Sequence, residues 1–359
     1  MRILRVAQKL YPEVKGGGPY HVHAMSRDQA AMGHDVTVLT VGDGPQREEQ
    51  DGYTVLRSPS RASVLGNDIA PGIWRELRNA DEFDVVHAHS HLYLSTNLAA
   101  LRRRLSETPL AITNHGLYSQ TVSEWVFDAY LRTIGRWTFN SADVVFCYTE
   151  EDERRLHRVG VSSRTAVVNN GIDTERFSPK GDQDPRIDAD GPVMLFVGRL
   201  VEGKRPMDAV EAFAELRERL PDVELYVCGE GPLRSEMAQR AQESGISKAV
   251  TFLGHVDYEE IPSVYRSADV LVLPSRAEGL PRTVLEALAS GVPAVVSDLP
   301  QVRRIVEEGG RTVPVGDVSG FARALATVLS ESYDPRAAVG RDLSWDDTVR
   351  ETTEMLSSL

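Results

Sequence analysis

Cysteine is almost absent: the 359-residue chain has two, Cys147 and Cys228, each inside an apolar run. Such residues ordinarily act as small buried hydrophobes, so no disulfide scaffold, thiol redox pair or cysteine-based metal site is expected. No stretch approaches the roughly 18 apolar residues that a membrane span needs. The opening Met1-Arg2-Ile3-Leu4-Arg5-Val6 carries charges inside its short apolar run, unlike a secretory leader, so a cytoplasmic protein is expected. A complete Gly-x-Gly-x-x-Gly is missing as well. Neither Gly16-Gly17-Gly18 nor Gly229-Glu230-Gly231 follows its strand with that spacing and an acidic residue about 20 positions later, which argues against an NAD-dependent dehydrogenase.

Lysine is the other scarcity, supplying five of the 40 cationic side chains (Lys9, Lys15, Lys180, Lys204 and Lys248). Together with 53 acidic residues and a formal charge of −13, this composition resembles that of salt-adapted, haloarchaeal proteins. The charge is uneven. Residues 1–180 hold 21 cations against 22 acids, and residues 181–359 the remaining 19 against 31, so the excess lies in the second half. A polyanion would be repelled there, which excludes broad nucleic-acid binding. With 41% hydrophobic residues the chain can fill two cores.

Strand-length apolar runs alternate with helical stretches at Ile3 to Ala7, Val36 to Val41, Val85 to Ala88, Leu110 to Thr113, Val144 to Tyr148 and Thr165 to Asn169. A second series runs through Val193 to Val197, Glu224 to Cys228, Ala249 to Leu253, Val270 to Leu273 and Pro293 to Ser297. Between them lies a polar, Pro/Gly-rich, acidic segment from Ser178 to Pro192. The pattern predicts an α/β protein of two doubly wound, Rossmann-like domains facing across a cleft, over 1–183 and 184–335, with 336–359 as a C-terminal helix packing back toward the first domain. Ligands of such sheets bind at the carboxyl ends of the strands.

Chemistry-bearing residues fall in those strand-to-helix loops. Ser275 to Pro293 follows a strand, turns at Gly279-Leu280-Pro281, enters a helix near Arg282 and stops at Gly291. Free N–H groups at that helix start suit a diphosphate, and Glu278 and Glu286 are acceptors for vicinal hydroxyls. Thr283-Val284-Leu285-Glu286 fits a capping box equally well. Arg199 and Lys204, in a loop bracketed by Gly198 and Gly203, can clamp a diphosphate from two sides. Gly17 and Gly18 would allow close backbone approach to a ligand. His115 follows a strand end, and His87, His89 and His91 alternate as strand residues sharing a face do, which invites a zinc reading. Asp188-Ala189-Asp190 lies in the linker and reads as solvated charge.

The Glu278-x7-Glu286 setting resembles the retaining GT-B glycosyltransferases of family 4, and the resemblance covers almost the whole chain, including Asn169-Asn170-Gly171-Ile172-Asp173. It implies transfer of a sugar from a UDP- or GDP-sugar to a glycan, lipid-linked or small-molecule acceptor, with retention and with no cofactor or metal. By that resemblance Glu278 binds donor-sugar hydroxyls, Glu286 the ribose, and Arg199 and Lys204 the leaving diphosphate. Gly229, Gly231, Val256, Gly279, Leu280, Pro281, Thr283 and Val284 line the donor pocket, and His115 meets the sugar near its C6 hydroxyl. The family shows a similar His-x-His without metal. The chain departs from the family after Val296-Ser297-Asp298, where Leu299-Pro300-Gln301 replaces the usual Gly-Gly and Glu. A nucleotide-sugar epimerase of the same fold is the alternative. Leu98 to Leu105, with Arg102, Arg103 and Arg104, is the candidate for peripheral contact with an anionic membrane.

Overall fold

A computed structural model describes residues 1–64, 66–118, 124–340 and 343–359, apart from the side chain of residue 124. It divides into two compact units. The first comprises residues 1–117, 124–169 and 346–359, and the second is built on residues 170–345.

In the first unit the strands are β1 (Arg2–Val6), β2 (Asp35–Val41), β3 (Arg47–Gln50), β4 (Tyr53–Ser58), the small hairpin β5 (Ala62–Val64) and β6 (Asn67–Ile69), then β7 (Val85–His89), β8 (Leu110–Thr113), β9 (Val144–Cys147) and β10 (Arg164–Val167). The main sheet runs in the order β10-β9-β8-β7-β1-β2-β4-β3, parallel except for β3. Its central strands are apolar on both faces because helices cover both, and Ile3, Val38, Val144 and Val145 are fully buried.

The second unit has β11 (Val193–Val197), β12 (Glu224–Cys228), β13 (Val250–Gly254), β14 (Val270–Leu273), β15 (Ala294–Ser297) and β16 (Gly310–Val313) in the order β13-β12-β11-β14-β15-β16. Counted within the unit this is 3-2-1-4-5-6, the doubly wound order in which chain direction reverses between the first and fourth strands. Phe196 of β11, Phe213 of the helix Pro206–Arg217 and Phe321 of the helix Val318–Ser330 share its core. β4 and β16, each carrying an arginine (Arg57, Arg311), are not among the apolar runs that the sequence reading picks out.

The division falls after Asn169, not near Asp184. The reason is tertiary anchoring: the Asp184 N–H donates to Ser267 Oγ (2.8 Å), Arg176 lies over the Tyr258 ring (4.4 Å), and Phe177 packs edge-on against Tyr258 and Tyr265. A polar segment held this firmly is part of the second unit whatever its composition. The expected single helix over 336–359 is also two, Pro335–Val339 and Trp345–Ser357, with residues 341 and 342 outside the described set.

The last helix buries Val349, Thr352, Thr353 and Leu356, spaced as one helical face. Leu356 joins the first unit's core, and Gln29 Nε2 donates to Thr353 Oγ1 at 2.8 Å. Among the described residues no helix is long and apolar enough to cross a membrane.

Candidate functional site

In the second unit the two strongest sequence signals are the loops that leave the reversal strands β11 and β14. After Val197 the chain passes Gly198 and Arg199, makes a short turn at Glu202–Lys204, and places Arg205 in the left-handed region (φ 48°, ψ 50°) before Pro206 opens a helix. That conformation is costly for a side-chain-bearing residue. It is held by Arg205 Nε donating to Asp208 Oδ2 at 2.7 Å. The loop after β14 docks onto this turn, with the Arg276 N–H donating to Gly203 O at 2.9 Å.

Lys204 Nζ donates to Glu278 Oε1 at 2.5 Å, and both side chains are buried, with 12% and 5% exposure. Ion pairs this dry are expensive to desolvate and are not needed to hold a fold together. Arg199, by contrast, is exposed. The structure thus brings Lys204 and Glu278 together and leaves Arg199 at the solvent edge of the same loop.

The helix Arg282–Ala289 begins after Pro281, which supplies no side-chain cap. Glu286 does not reach back to close a capping box: its Oε2 accepts from Tyr265 Oη at 2.9 Å and its Oε1 lies 3.6 Å from Arg282 Nε. That excludes the capping-box reading of Thr283 to Glu286. The first-turn N–H groups stay uncapped by side chains, as an anion site requires. Burial raises the Glu286 carboxyl above its usual range, with Arg282 and Tyr265 pulling the other way. Thr283 Oγ1 is buried without a partner. Gly279, Leu280, Pro281 and Val284 are buried, so Leu280 and Val284 offer a ligand their backbone and not their side chains.

Gly229 and Gly231 have a structural duty that the sequence did not reveal. A Cβ on Gly229 (φ 144°) would lie 1.9 Å from Gly198 O, and one on Gly231 would lie 2.4 Å from Leu200 O. The Gly229 N–H is already given to Gly254 O (2.7 Å), so it is committed to a protein acceptor. Val256 is buried, and its backbone N–H partly offsets the burial that pushes the Cys228 thiol up to about 12.

Arg282 was read only as a helix start, yet it fans out to Asn170 Oδ1 (3.3 Å), Gly171 O (3.4 Å) and Tyr258 Oη (3.0 Å). Its i, i+4 spacing to Glu286 was the available signal. Asp188 and Asp190 are exposed in the linker.

In the first unit the strand order reverses between β1 and β7; Gly17 and Gly18 follow β1, and His115 follows β8, the neighbour of β7. Gly16 (φ 138°) precedes the helix Gly17–Ala31 without a side-chain cap. Gly17 is exposed, and a Cβ on Gly18 would meet nothing within 4 Å. No internal contact therefore demands glycine at 18. His115 is half-buried beyond β8, with Tyr148 Oη 2.8 Å from its Nδ1 and His89 Nδ1 3.0 Å from its Nε2. Burial lowers its pKa to about 4.

His87, His89 and His91 do not share one ligand-facing surface. β7 ends at His89, Ser90 turns the chain at φ 65°, and His91 packs among Phe139, Phe127 and Tyr130. Among the described residues no group of three His, Cys, Asp or Glu is arranged to hold a metal.

In the basic stretch two of the three arginines are paired with carboxylates. Arg102 pairs with Asp81 (2.5 Å) and Arg103 with Asp143 (2.7 Å), which leaves Arg104 as the member of the three whose charge is directed at no carboxylate in these pairs. Partners 21 and 40 residues away could not be seen in the local run.

Comparison with known proteins agrees with this geometry. The family described as "Glycosyltransferase Family 4" matches residues 15–176, and "Glycosyl transferases group 1" matches residues 178–342. The chain is 29% identical over 408 residues to glycogen synthase of Mycobacterium tuberculosis, covering 99% of this chain and 94% of that one. It is 30% identical over 332 residues to a phosphatidyl-myo-inositol mannosyltransferase of Mycolicibacterium smegmatis, covering 89% and 82%. The crystal structure of Anabaena HepE in complex with UDP and glucose superposes with a TM-score of 0.80 at 19% identity, covering 100% of both chains. The chain belongs to the family 4 (group 1) glycosyltransferases, enzymes of GT-B fold that use nucleotide-sugar donors.

Proposed function

We propose that this enzyme transfers a sugar from a UDP- or GDP-sugar to a glycan or lipid-linked acceptor, with retention of configuration and without a metal. The observation that carries the reading is the buried Lys204–Glu278 pair at the reversal point of the second sheet. In that reading Lys204 turns from the carboxylate to the leaving diphosphate, joined by Arg199 and by the first-turn N–H groups after Pro281. Glu278, released, accepts hydrogen bonds from donor-sugar hydroxyls, and Glu286 accepts from the ribose. His115, Gly17 and Gly18 are the further candidates for contacts with sugar and phosphate.

The cations do the electrostatic work that a metal does elsewhere. Double displacement needs a carboxylate nucleophile on the far face of the sugar, and the matched residues supply none. Front-face substitution, with the leaving diphosphate taking the acceptor's proton, is the reading that remains. Support for the donor comes from the UDP and glucose in the HepE complex, and for a lipid-linked acceptor from the name of the mannosyltransferase relative. Peripheral membrane contact would fall to the exposed Leu101, Arg104 and Leu105.

The test is a thermal-shift panel of nucleoside diphosphates and nucleotide sugars, followed by proton NMR of the first-formed product with and without EDTA. A ligand at 100 times its Kd adds about 2.7 kcal/mol to the apparent stability. Retained anomeric coupling and EDTA-insensitive turnover are expected. An inverted product, or activity lost in EDTA and restored by Mg²⁺ or Mn²⁺, overturns the reading.

A further inference from the structure

We propose that His89 and Tyr148 are positioning residues that hold the His115 imidazole in one neutral tautomer, with its proton on Nδ1 and its lone pair on Nε2. The His115 ring is addressed at both nitrogens, by His89 Nδ1 at 3.0 Å and by Tyr148 Oη at 2.8 Å. Two assignments of the protons satisfy those distances. They differ at the far nitrogen of His89, Nε2, which is buried and has no partner.

If His115 donated to His89, the proton of His89 would sit on that orphaned Nε2. A buried N–H without an acceptor costs about 1–3 kcal/mol. With the roles reversed, Nε2 is a bare lone pair, and unmatched acceptors are tolerated better than unmatched donors. His89 Nδ1 therefore donates to His115 Nε2, and His115 Nδ1 donates to the Tyr148 oxygen.

The neighbouring histidine is fixed independently. Arg5, a pure donor, lies 3.4 Å from His87 Nδ1, so the His87 proton is on Nε2, which donates to Thr113 Oγ1 at 2.7 Å. The groups around His115 are His21 of the helix Gly17–Ala31, whose ring meets it edge-on at 5.2 Å, His89 and His87 of β7, and Tyr148 beyond β9, with Arg5 of β1 behind His87. Arg5 is fully buried and hydrogen-bonded to Ser26 and Gln29, both neutral. The one fixed charge in this network is thus a cation, and it adds to burial in keeping His87 and His89 uncharged.

The consequence for the reaction rests on the contact between His115 and the donor proposed above. The single in-plane lone pair of Nε2 is taken by the His89 N–H, so a sugar hydroxyl reaches that acceptor only by displacing His89, and it must then be the donor of the hydrogen bond. A donor sugar with fluorine in place of that hydroxyl cannot supply the proton and should lose the contact.

The experiment labels the full chain with ¹³C,¹⁵N-histidine and reads ring nitrogens by long-range proton correlation at pH 7.5, with His115 assigned by its loss in His115→Gln. A pyrrole-like Nδ1 and a pyridine-like Nε2 are expected. The opposite pattern, or averaging between tautomers, read on the wild-type protein, overturns the proposal.

A variant pair adds a kinetic reading. His89→Asn keeps an N–H at the Nδ1 position and should hold kcat within about threefold, whereas His89→Asp presents an acceptor and should lower kcat about 10- to 100-fold through misplacement of the ring. His89→Asp should also gain an acid limb in its pH profile, because a carboxylate beside an imidazole favours the charged form. Its KM for donor should stay within about twofold, since none of the nucleotide contacts proposed above involves His89. Equal damage by both substitutions, or an unchanged pH profile for His89→Asp, refutes the positioning role. Should His115→Gln leave transfer untouched while the tautomer is as stated, it is the donor contact that fails, not the tautomer.

Discussion

Replacing Lys204 separates what the Lys204–Glu278 pair does for the fold from what it does for the reaction. In Lys204→Ala the Glu278 carboxylate stays where it is, 5% exposed, with its partner gone. Removing one member of a buried pair strands the other charge, and such losses run to about 3–5 kcal/mol. The lower end applies here because the lysine side chain keeps 12% exposure. At roughly 2–4 °C per kcal/mol for a domain of this size, the second unit should melt about 6–12 °C lower in calorimetry.

Lys204→Met/Glu278→Gln removes both charges while keeping the volumes. It should recover the melting temperature to within about 1 kcal/mol, because an uncharged, well-packed pair has no desolvation to offset. Transfer should not return: loss of charge on the leaving group costs on the order of 10²-fold or more in either variant. Two results would sink the argument. A Lys204→Ala protein that melts with wild type shows that the pair is not dry, and a double variant that still transfers sugar removes Lys204 and Glu278 from the chemistry.

Arg199→Ala, at an exposed position, should cut transfer by about 10²-fold yet leave the melting temperature unchanged, and a matching thermal loss would make it a structural residue. Gly229→Ala should destabilise the second unit strongly because its Cβ would lie 1.9 Å from Gly198 O, and urea unfolding of the two proteins reads the difference. Burial holds His91 at about 3 and His115 at about 4, below the unfolded value near 6.5. Their contribution is complete above pH 6.5. It is lost as pH falls from there toward 4, when the unfolded chain binds protons that the folded one refuses, at roughly 1.4 kcal/mol per pH unit for each histidine. Equal melting temperatures at pH 7.5 and pH 5 would contradict that.

The donor-side loops were legible because their chemistry is local. Arg199 and Lys204 lie within a few residues of a strand end, and Glu278 and Glu286 flank one helix start, so sequence spacing and spatial spacing coincide. The apolar runs located the central strands for the same reason. Legibility ended where a partner is distant. The segment before Asp184 looked like a linker because its composition is polar, and only Ser267, Tyr258 and Tyr265 reveal that it is fastened down. Arg102 and Arg103 looked like a solvated patch until Asp81 and Asp143 came alongside. The alternation of His87 and His89 was visible, but the approach of His89 to His115 across 26 residues was not. Thr283 to Glu286 had two local meanings, and Tyr265 chose between them.

The return of the last helix to the first unit governs the order in which the two units can be finished during synthesis. All the strands of the second unit lie within residues 170–345, so they have been made once residue 345 has been added. The first unit is begun earlier but lacks Leu356 for its core and Thr353 for the Gln29 side chain until residues 346–359 have been made. Until then Gln29 and the surface that Leu356 covers face solvent or a chaperone. A chain cut before residue 346 would keep every strand of the second unit and leave the first open along one face.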